Sequence, residues 1–270
     1  MCGIDFDAKT FKSMDESVYK KIIDEIAPYR DEIQKLMLYL DNEPLLDKKL
    51  IDKIKYAKVK GINLVNISTN ASLLDEEKAK QLIEAELDEI YLSIDSLNAA
   101  KFEHIRKGLN YNQVISNAVE FIGIRNRMKS QMKIRVQMID QGHENIDEFV
   151  IFWKKHLNLK GIDEVVIQKL HNWGGQLSHE LAKEKSVNSP CLSPFGTMVI
   201  HSNGDVPLCC VDHLTKIKIG NVIENSIQEI WNNEIFSSIR TKHLNKERAQ
   251  IDMCKICDTW QPEKNQVFKL

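Results

Sequence analysis

Residues 89–96 read Glu-Ile-Tyr-Leu-Ser-Ile-Asp-Ser, a short apolar run that ends in small polar residues. Runs of four to eight residues with β-branched and aromatic side chains are typical of buried strands. Helical patterns lie on either side of this run, at 75–84 before it and at 113–126 after it. A strand between two helices is the repeating unit of a parallel sheet, so this stretch predicts the α/β fold class.

The same alternation extends in both directions along the chain. Further strand patterns lie at 35–40, 62–68, 133–139 and 164–168. Further helical patterns separate them, at 46–59 and 146–156, and an amphipathic helix is predicted at 17–26, ahead of the first strand. Five strands joined by helices predict parallel strands with crossover connections.

The alternation stops at His171-Asn172-Trp173-Gly174-Gly175, and a polar stretch follows up to Pro190. We therefore predict one domain over 1–178 and a smaller α+β domain over 179–270. The smaller domain opens with a hairpin pattern, at 196–201 and 206–210, around Ser202-Asn203-Gly204-Asp205. Ser226-Ile227-Gln228-Glu229 is a capping-box sequence that predicts a helix continuing to Ile239.

Composition excludes several classes of protein. The chain has 270 residues, with 37 Lys and Arg against 39 Asp and Glu, which argues against the basic footprint of a nucleic-acid-binding protein. It has no apolar run near the roughly 18 residues that span a bilayer, and no basic segment followed by an apolar one as in a secretory signal. We expect a cytoplasmic protein with neither nucleic acid nor membrane as a partner.

Cysteine placement is the strongest chemical signal. Cys2 stands alone, whereas the other five lie in the last third, four of them spaced Cys191-x17-Cys209-x44-Cys254-x2-Cys257. Clustered cysteines in a cytosolic chain indicate metal ligands rather than disulfides. The spacing leaves an iron–sulfur cluster, a zinc ion and no metal open, and favours iron–sulfur because zinc sites usually show two close Cys-x-x-Cys pairs.

Cys210 competes with Cys209 as the fourth ligand. Neighbouring residues of a strand point to opposite faces, so both are not expected to bind one metal. The spacing of Cys209 from Gly204 in the preceding turn favours Cys209. Cys210 is then predicted to be a small buried residue.

This cysteine pattern resembles the abbreviated SPASM domain, or twitch domain, of radical SAM enzymes. The resemblance rests on Cys191-x12-Gly204-x4-Cys209 followed by Cys254-x2-Cys257, and on the connection at 219–222 and 226–232. The full SPASM pattern carries more cysteines and holds two auxiliary clusters. The resemblance here implies one auxiliary [4Fe–4S] cluster, with these four ligands: Cys191, Cys209, Cys254 and Cys257.

The first domain resembles the radical SAM core, a partial (β/α)6 barrel that binds S-adenosylmethionine. Asp41-Asn42-Glu43-Pro44 resembles the GGEP motif without its glycines, and Ser68-Thr69-Asn70-Ala71 resembles the TNG turn. Ser93-Ile94-Asp95-Ser96, followed by 104–108, resembles the SIDG…H…RG segment. The resemblance implies that Glu43 receives the ammonium of the cofactor, that Ser93 lies near its ribose and that Arg106 lies near its carboxylate. It also implies that Pro44 and Asn70 belong to the cofactor-binding site.

The opening Met1-Cys2 resembles the end of the family's C-x-x-x-C-x-M-C loop, which follows the first strand of the barrel. The five predicted strands are then strands two to six. We therefore expect a chain truncated inside this motif, with the first strand missing and Cys2 as the remnant ligand of the radical cluster, which would need the missing residues. The other interpretation is that Cys2 is a free cysteine.

The resemblance implies a radical SAM enzyme that abstracts hydrogen through a 5′-deoxyadenosyl radical, with one auxiliary [4Fe–4S] cluster. It would oxidise a small molecule by dehydrogenation or modify a short peptide, with a reductant such as flavodoxin or ferredoxin. The catalytic residue is unassigned, and the candidates for a deprotonation step are Asp212, His213 and His171. The alternative is a truncated, non-catalytic fold whose four cysteines hold zinc or a lone iron–sulfur cluster.

Overall fold

The computed structural model describes residues 12–142, 144–158, 160–177, 190–258 and 265–270. The chain forms two compact units. The cysteine unit comprises Met1–Pro28 and Leu170–Glu263, and the sheet unit comprises Tyr29–Lys169 and Lys264–Leu270. The units therefore differ from the predicted division into 1–178 and 179–270, because the segment through Pro28 joins the cysteine unit and the C-terminus joins the sheet unit.

Five parallel strands form the sheet in chain order, which confirms the predicted α/β class. They are β1 (Leu36–Met37), β2 (Val65–Thr69), β3 (Glu89–Ser93), β4 (Lys133–Asp140) and β5 (Glu164–Lys169). The first strand is shorter than the pattern at 35–40 predicts, since only Leu36 and Met37 pair with β2.

The sixth strand of the sheet comes from the C-terminus. Residues Gln266–Lys269 pair antiparallel with β5, with Val165 opposite Phe268. We number this strand β8, because two strands of the cysteine unit precede it in the chain. It covers the open edge of β5, whose backbone groups would otherwise be unpaired. The sequence analysis missed this strand because four residues at a chain end carry little periodicity.

Helices connect the strands close to the predicted positions. They are α2 (Leu50–Val59), α3 (Glu76–Glu84), α4 (Ala99–Ile105), α5 (Tyr111–Arg127) and α6 (Ile146–His156). Asp75, Asn110 and Asn145 cap three of them by accepting a hydrogen bond from a backbone N–H of the first turn. Helix α4 is the addition to the predicted set.

The two faces of the sheet differ in chemistry because side chains alternate along each strand. One face is apolar and fully buried, with residues such as Ile67, Leu92, Val136 and Val165. The other face is polar, and it carries these side chains: Asn66, Ser68, Glu89, Tyr91, Ser93, Lys133, Arg135, Gln137, Glu164 and Gln168. The polar face presents the functional groups of the sheet unit.

The cysteine unit is built from short elements. They are α1 (Glu16–Ile26), α7 (Ser193–Gly196), β6 (Asp205–Pro207), β7 (Lys218–Asn221), α8 (Ile227–Trp231), α9 (Glu234–Leu244) and α10 (Asp252–Lys255). The predicted capping box is confirmed, with Ser226 and Glu229 bonded reciprocally. The helix that it starts is shorter than predicted, because Asn233 caps a new helix by accepting the N–H of Phe236.

The prediction that 196–201 and 206–210 pair as the two strands of a hairpin is wrong. The tight turn exists, since the N–H of His201 donates to the carbonyl of Asp205 at 2.8 Å. However, β6 pairs with β7 and not with 196–201. The carboxylate of Asp212 accepts the backbone N–H groups of Lys216 and Ile217, at 2.7 and 3.0 Å, and this turns the chain back so that β7 lies along β6.

Helix α1 packs inside the cysteine unit. Its Ile22 belongs to the same apolar core as Val206, Ile230 and Phe236. Its Glu25 accepts the N–H of Ile227 at 2.7 Å and so caps α8. Within the residues that the structure covers, no helix is both long enough and apolar enough to span a membrane.

Candidate functional site

Glu43 is held in place at the carboxyl ends of β1 and β2. Its carboxylate accepts the N–H of Leu45 at 3.1 Å, the hydroxyl of Thr69 at 2.7 Å and the N–H of Asn70 at 2.9 Å. Pro44 is buried and starts the short 3-10 turn that Glu43 caps. The structure therefore brings together Glu43, Pro44 and Asn70. A carboxylate has about four lone-pair sites, so these three donors leave it able to accept one from an ammonium group.

An uncharged polar row crosses the sheet beside this position. The hydroxyl oxygens of Ser68 and Ser93 lie 3.2 Å apart. The amide of Gln137 donates to Ser93 at 3.0 Å, and the amide of Gln168 lies 3.5 Å from the side-chain oxygen of Gln137. All four side chains are half-buried. We refer to these four residues as the polar row. The sequence analysis singled out only Ser93 as a site residue, because Ser68, Gln137 and Gln168 have no spacing signal of their own.

Arg106 directly follows helix α4, and an ion pair fixes its side chain. Its Nε donates to Asp95 at 2.6 Å, and Asp95 is 1% exposed. The other oxygen of Asp95 accepts the N–H of Ile139 at 3.1 Å. Since Asp95 takes the Nε side of the guanidinium, the terminal amino groups of Arg106 can donate to another anion, such as a carboxylate.

The four predicted ligand cysteines lie in one unit and influence one another. Cys254 is buried, and Cys191, Cys209 and Cys257 are half-buried. Burial raises the pKa of the Cys191 and Cys209 thiols and raises the pKa of Cys254 to about 12. Neighbouring thiols add to this effect, since Cys257 raises the pKa of each of the other three. Cys2 lies outside the described residues.

The four thiols lie in one unit and supply a donor set that both kinds of metal site use. Zinc binds each thiolate directly at about 2.3 Å, whereas a [4Fe–4S] cluster gives each thiolate an iron of its own. Among the described residues, no three Cys, His, Asp or Glu side chains form a preformed site for a single metal ion.

Two further residues hold the cysteine loops, and the sequence analysis missed both. Arg248 is buried and donates to the carbonyls of Cys254 at 3.1 Å and Cys257 at 2.8 Å. His243 is buried and accepts the N–H of Cys191 at 3.1 Å. Burial, together with the charge of Arg248, lowers the pKa of His243 to about 4. Neither residue lies within a motif, so only the fold reveals these contacts.

The segment 171–175 packs against the Cys254–Cys257 loop. Asn172 exchanges hydrogen bonds with Asp258, at 2.8 and 3.2 Å, and its amide donates to the carbonyl of Ile256. A Cβ atom on Gly175 would lie 2.0 Å from Ile256, and the backbone φ there is +83°, so only glycine fits. The His-Asn-Trp-Gly-Gly stretch is therefore a support for the cysteine loop.

The candidates for a deprotonation step lie in this same unit. Asp212 is buried and accepts the backbone N–H groups that shape the β6–β7 loop. His171 and His213 both stack on Trp173, with ring centroids 4.5 and 5.1 Å away. Nδ1 of His171 accepts the N–H of Trp173 at 3.2 Å, so that nitrogen can take a proton only by losing this bond. All three residues stay candidates for this step.

Cys210 is exposed, so its prediction as a buried residue is wrong. The reason is local: β6 ends at Pro207, and Cys209 and Cys210 lie in the turn that follows. The side chain of Cys209 is half-buried in this turn, whereas that of Cys210 faces solvent.

Two family models match separate segments of this chain. Residues 1–132 match the family model of the radical SAM superfamily. Residues 191–258 match the model of the SPASM domain, described as an iron–sulfur cluster-binding domain.

Individual proteins resemble parts or most of the chain. The S-adenosyl-L-methionine-dependent 2-deoxy-scyllo-inosamine dehydrogenase of Niallia circulans is 33% identical over 89 residues, which is 33% of this chain and 35% of that protein. BtrN in complex with AdoMet and 2-DOIA is similar in structure, with a TM-score of 0.61 and 21% identity over 93% of this chain and 82% of that one.

Streptococcus suis SuiB bound to its precursor peptide SuiA has a TM-score of 0.65 and 16% identity, and covers 89% of this chain and 64% of that one. At these identities the structural likenesses establish the fold alone. The chain spans between 24% and 65% of the length of the curated relatives compared with it.

Proposed function

The chain belongs to the radical SAM superfamily and carries a C-terminal SPASM domain, and from that premise we propose that it abstracts hydrogen from an organic substrate with the help of one auxiliary [4Fe–4S] cluster. Radical SAM and SPASM domains use S-adenosylmethionine and [4Fe–4S] clusters. When bound, the cofactor supplies a radical that removes a hydrogen atom, and the auxiliary cluster supplies an acceptor for the remaining electron. The chain's own residues bind and orient these groups.

The observation that carries the proposal is the set of four thiols in the cysteine unit. Cys191, Cys209, Cys254 and Cys257 are the proposed ligands, because all four lie in the segment that matches the iron–sulfur cluster-binding domain and Cys257 interacts electrostatically with the other three. The same match disfavours the structural zinc of the alternative hypothesis. None of the described cysteines forms a disulfide. We propose a cytoplasmic location and a reductant such as flavodoxin or ferredoxin.

The sheet unit would bind S-adenosylmethionine at the carboxyl ends of its strands, which is where barrel active sites lie. Glu43, fixed by Thr69 and Asn70, would accept the ammonium group. Arg106, fixed by Asp95, would donate to the carboxylate. Ser93, in the polar row, would hydrogen-bond the ribose. Each of these side chains is oriented by a partner within the chain, so little ordering is needed when the cofactor binds.

We favour a small hydroxylated molecule as the substrate and its oxidation as the reaction. Removal of one hydrogen atom, one proton and one electron converts a secondary alcohol into a ketone. A relative of the chain is named a dehydrogenase of this kind of molecule. The polar row also consists of uncharged donors and acceptors, which suit hydroxyl groups. Asp212, His171 and His213 are the proposed candidates for the acceptor of the proton.

The test is anaerobic reconstitution with iron and sulfide, followed by an assay with S-adenosylmethionine and a strong reductant. We expect about four irons for the four-cysteine cluster. The assay measures the 5′-deoxyadenosine released from S-adenosylmethionine. One zinc and no iron after reconstitution would refute the proposal.

Substrate class is tested separately with the active form. A panel of aminocyclitols and polyols should yield a product two hydrogens lighter, whereas a panel of short peptides should not. If a peptide is modified and no polyol is oxidised, the chain acts as a peptide-modifying enzyme instead.

A further inference from the structure

His243 has a nitrogen whose partner is missing among the described residues. Its ring is fully buried in the last turn of α9. Nδ1 accepts the N–H of Cys191 at 3.1 Å, so in the neutral ring the proton lies on Nε2. No acceptor for this Nε2–H exists in the part of the chain that the structure describes. Buried N–H groups nearly always have a partner, so the missing acceptor calls for an explanation.

The surroundings of the ring indicate what that acceptor is. His243 contacts the segment that carries Cys191. Arg248 is close enough to affect the pKa of both His243 and Cys254, and it donates to the carbonyls of Cys254 and Cys257. The ring therefore lies among the segments that bear three of the four proposed ligands. Phe195 packs edge-on against the ring, with ring centroids 6.5 Å apart.

We propose that the Nε2–H of His243 donates a hydrogen bond to a sulfur of the cluster held by Cys191, Cys209, Cys254 and Cys257, and thereby raises the reduction potential of that cluster. This inference rests on the proposed four-cysteine cluster. A hydrogen bond to a cluster sulfur stabilises the more negative, reduced state, and such bonds are among the factors that set cluster potentials. His243 is thus a tuning and positioning residue, and not a catalytic one.

The two nitrogens of His243 have separable roles, which allows a sharp test. The H243N variant keeps an acceptor near the position of Nδ1 for the N–H of Cys191 but has no donor at the position of Nε2. The H243Q variant places an amide donor near the position of Nε2 but loses the acceptor at Nδ1. Both are made in a Cys2→Ala background, which removes any signal from a cluster bound through Cys2.

Three measurements are made on each reconstituted protein. They are the iron and sulfide content, the midpoint potential of the cluster, and pulsed electron–nuclear double resonance of the reduced cluster in H2O and in D2O. With His243 present, we expect one strongly coupled exchangeable proton. H243N should keep about four irons, lose this coupling and titrate at a lower potential. H243Q should keep the coupling but bind less iron, because Cys191 is no longer anchored.

The outcomes that overturn the proposal are distinct from one another. Full iron content in H243N with an unchanged coupling and potential would exclude His243 as the donor. If H243N fails to bind iron, the measurement on the protein that retains His243 becomes the test. The absence of an exchangeable proton coupling in that protein would refute the hydrogen bond from His243 directly. If that protein binds no iron at all, the ligand assignment fails and the inference fails with it.

Discussion

The two units of this chain differ in the hydrogen-bond partners of their buried polar groups. In the sheet unit, Glu43 and Asp95 receive all their described hydrogen bonds from the chain itself. In the cysteine unit, Trp173, His243 and Asp258 each have a buried polar atom with no partner among the described residues. The sheet unit has two such atoms, on Asn66 and Trp153, and neither residue is a hydrogen-bond partner of Glu43. The sheet unit is thus preorganised for an organic cofactor, whereas the cysteine unit is expected to be completed by its metal.

The strongest test of this contrast is removal of the metal. Cys254→Ala should lower the iron content of the four-cysteine cluster and make it labile, because one iron loses its protein ligand. Since metal binding contributes directly to folding, the cysteine unit should also lose much of its stability, while the sheet unit keeps its own. Iron analysis together with amide hydrogen exchange measures both effects.

The matched control for this experiment is Cys210→Ala. Cys210 is exposed and adjacent to Cys209. Its variant therefore tests whether the removal of any cysteine from this loop would have the same effect. It should leave the iron content and the exchange pattern unchanged. Equal losses in Cys210→Ala and Cys254→Ala would show that the ligand assignment is wrong.

The converse experiment destabilises the sheet unit alone. Arg125 and Asp163 form a fully buried ion pair, and Asp163 also accepts the N–H of Ile134 at 2.9 Å. Asp163→Asn leaves a buried guanidinium without its charge partner, so we expect a loss of about 3–5 kcal/mol in the free energy of unfolding of this unit. Denaturant titration measures the loss, and the cysteine unit should still bind iron.

Glu120→Gln is the control for the buried pair. Glu120 lies 3.8 Å from Arg127 in an exposed pair, and exposed pairs contribute roughly 0–1 kcal/mol. A loss in Asp163→Asn as small as that in Glu120→Gln would contradict the stabilising role of the buried pair. Loss of iron binding along with the sheet unit would show that the two units do not fold independently.

The same contrast explains how far the sequence could predict the molecule. Five strands and most helices of the sheet unit follow from periodicity, since each strand pairs with its neighbour along the chain. The pairing of β6 with β7 does not, because it depends on the side chain of Asp212 folding a loop. The partnership of β5 with the C-terminal β8 is a long-range contact that leaves no local pattern.

The candidate site divides in a similar way. Glu43, Asn70, Ser93 and Arg106 were identified by motif resemblance, and the structure brings Glu43 and Asn70 into direct contact. Their fixing partners Thr69 and Asp95 lie within the same motifs. By contrast, His243 and Arg248 support the cysteine loops from a helix and a short turn that carry no motif. Support of this kind becomes visible only when distant segments are packed together.

A smaller effect is expected at the cofactor site. Glu43→Gln removes the negative charge that would pair with the ammonium of S-adenosylmethionine. Hydrogen bonds to charged groups contribute about 1.5–3 kcal/mol, so the Kd should rise by about ten- to a hundredfold. Equilibrium dialysis or calorimetry measures it. Glu32→Gln, at an exposed carboxylate of the same unit, should leave the Kd unchanged, and an unchanged Kd in both variants would remove Glu43 from the site.

The smallest expected effect is a pH dependence within the polar face of the sheet. Burial favours the neutral form of Glu164, but Arg135 and Lys133 together outweigh burial and lower its pKa below the ordinary value of 4.5. The folded state therefore binds this proton less readily than the unfolded state does. The stabilisation is present above about pH 4.5 and is lost as the pH falls below it.

Glu164→Gln tests whether this charge network, and not the backbone, sets the acid stability of the sheet unit. At neutral pH the variant should be less stable by roughly 1–2 kcal/mol, since the two cations lose an ionised partner. Below about pH 4 the difference should shrink, because the original carboxylate is then protonated as well. Glu84→Gln, on an exposed helix position, should show neither change. A difference that persists undiminished in acid would mean that the shape of Glu164 matters and its charge does not, and the sheet unit would then owe its preorganisation to packing.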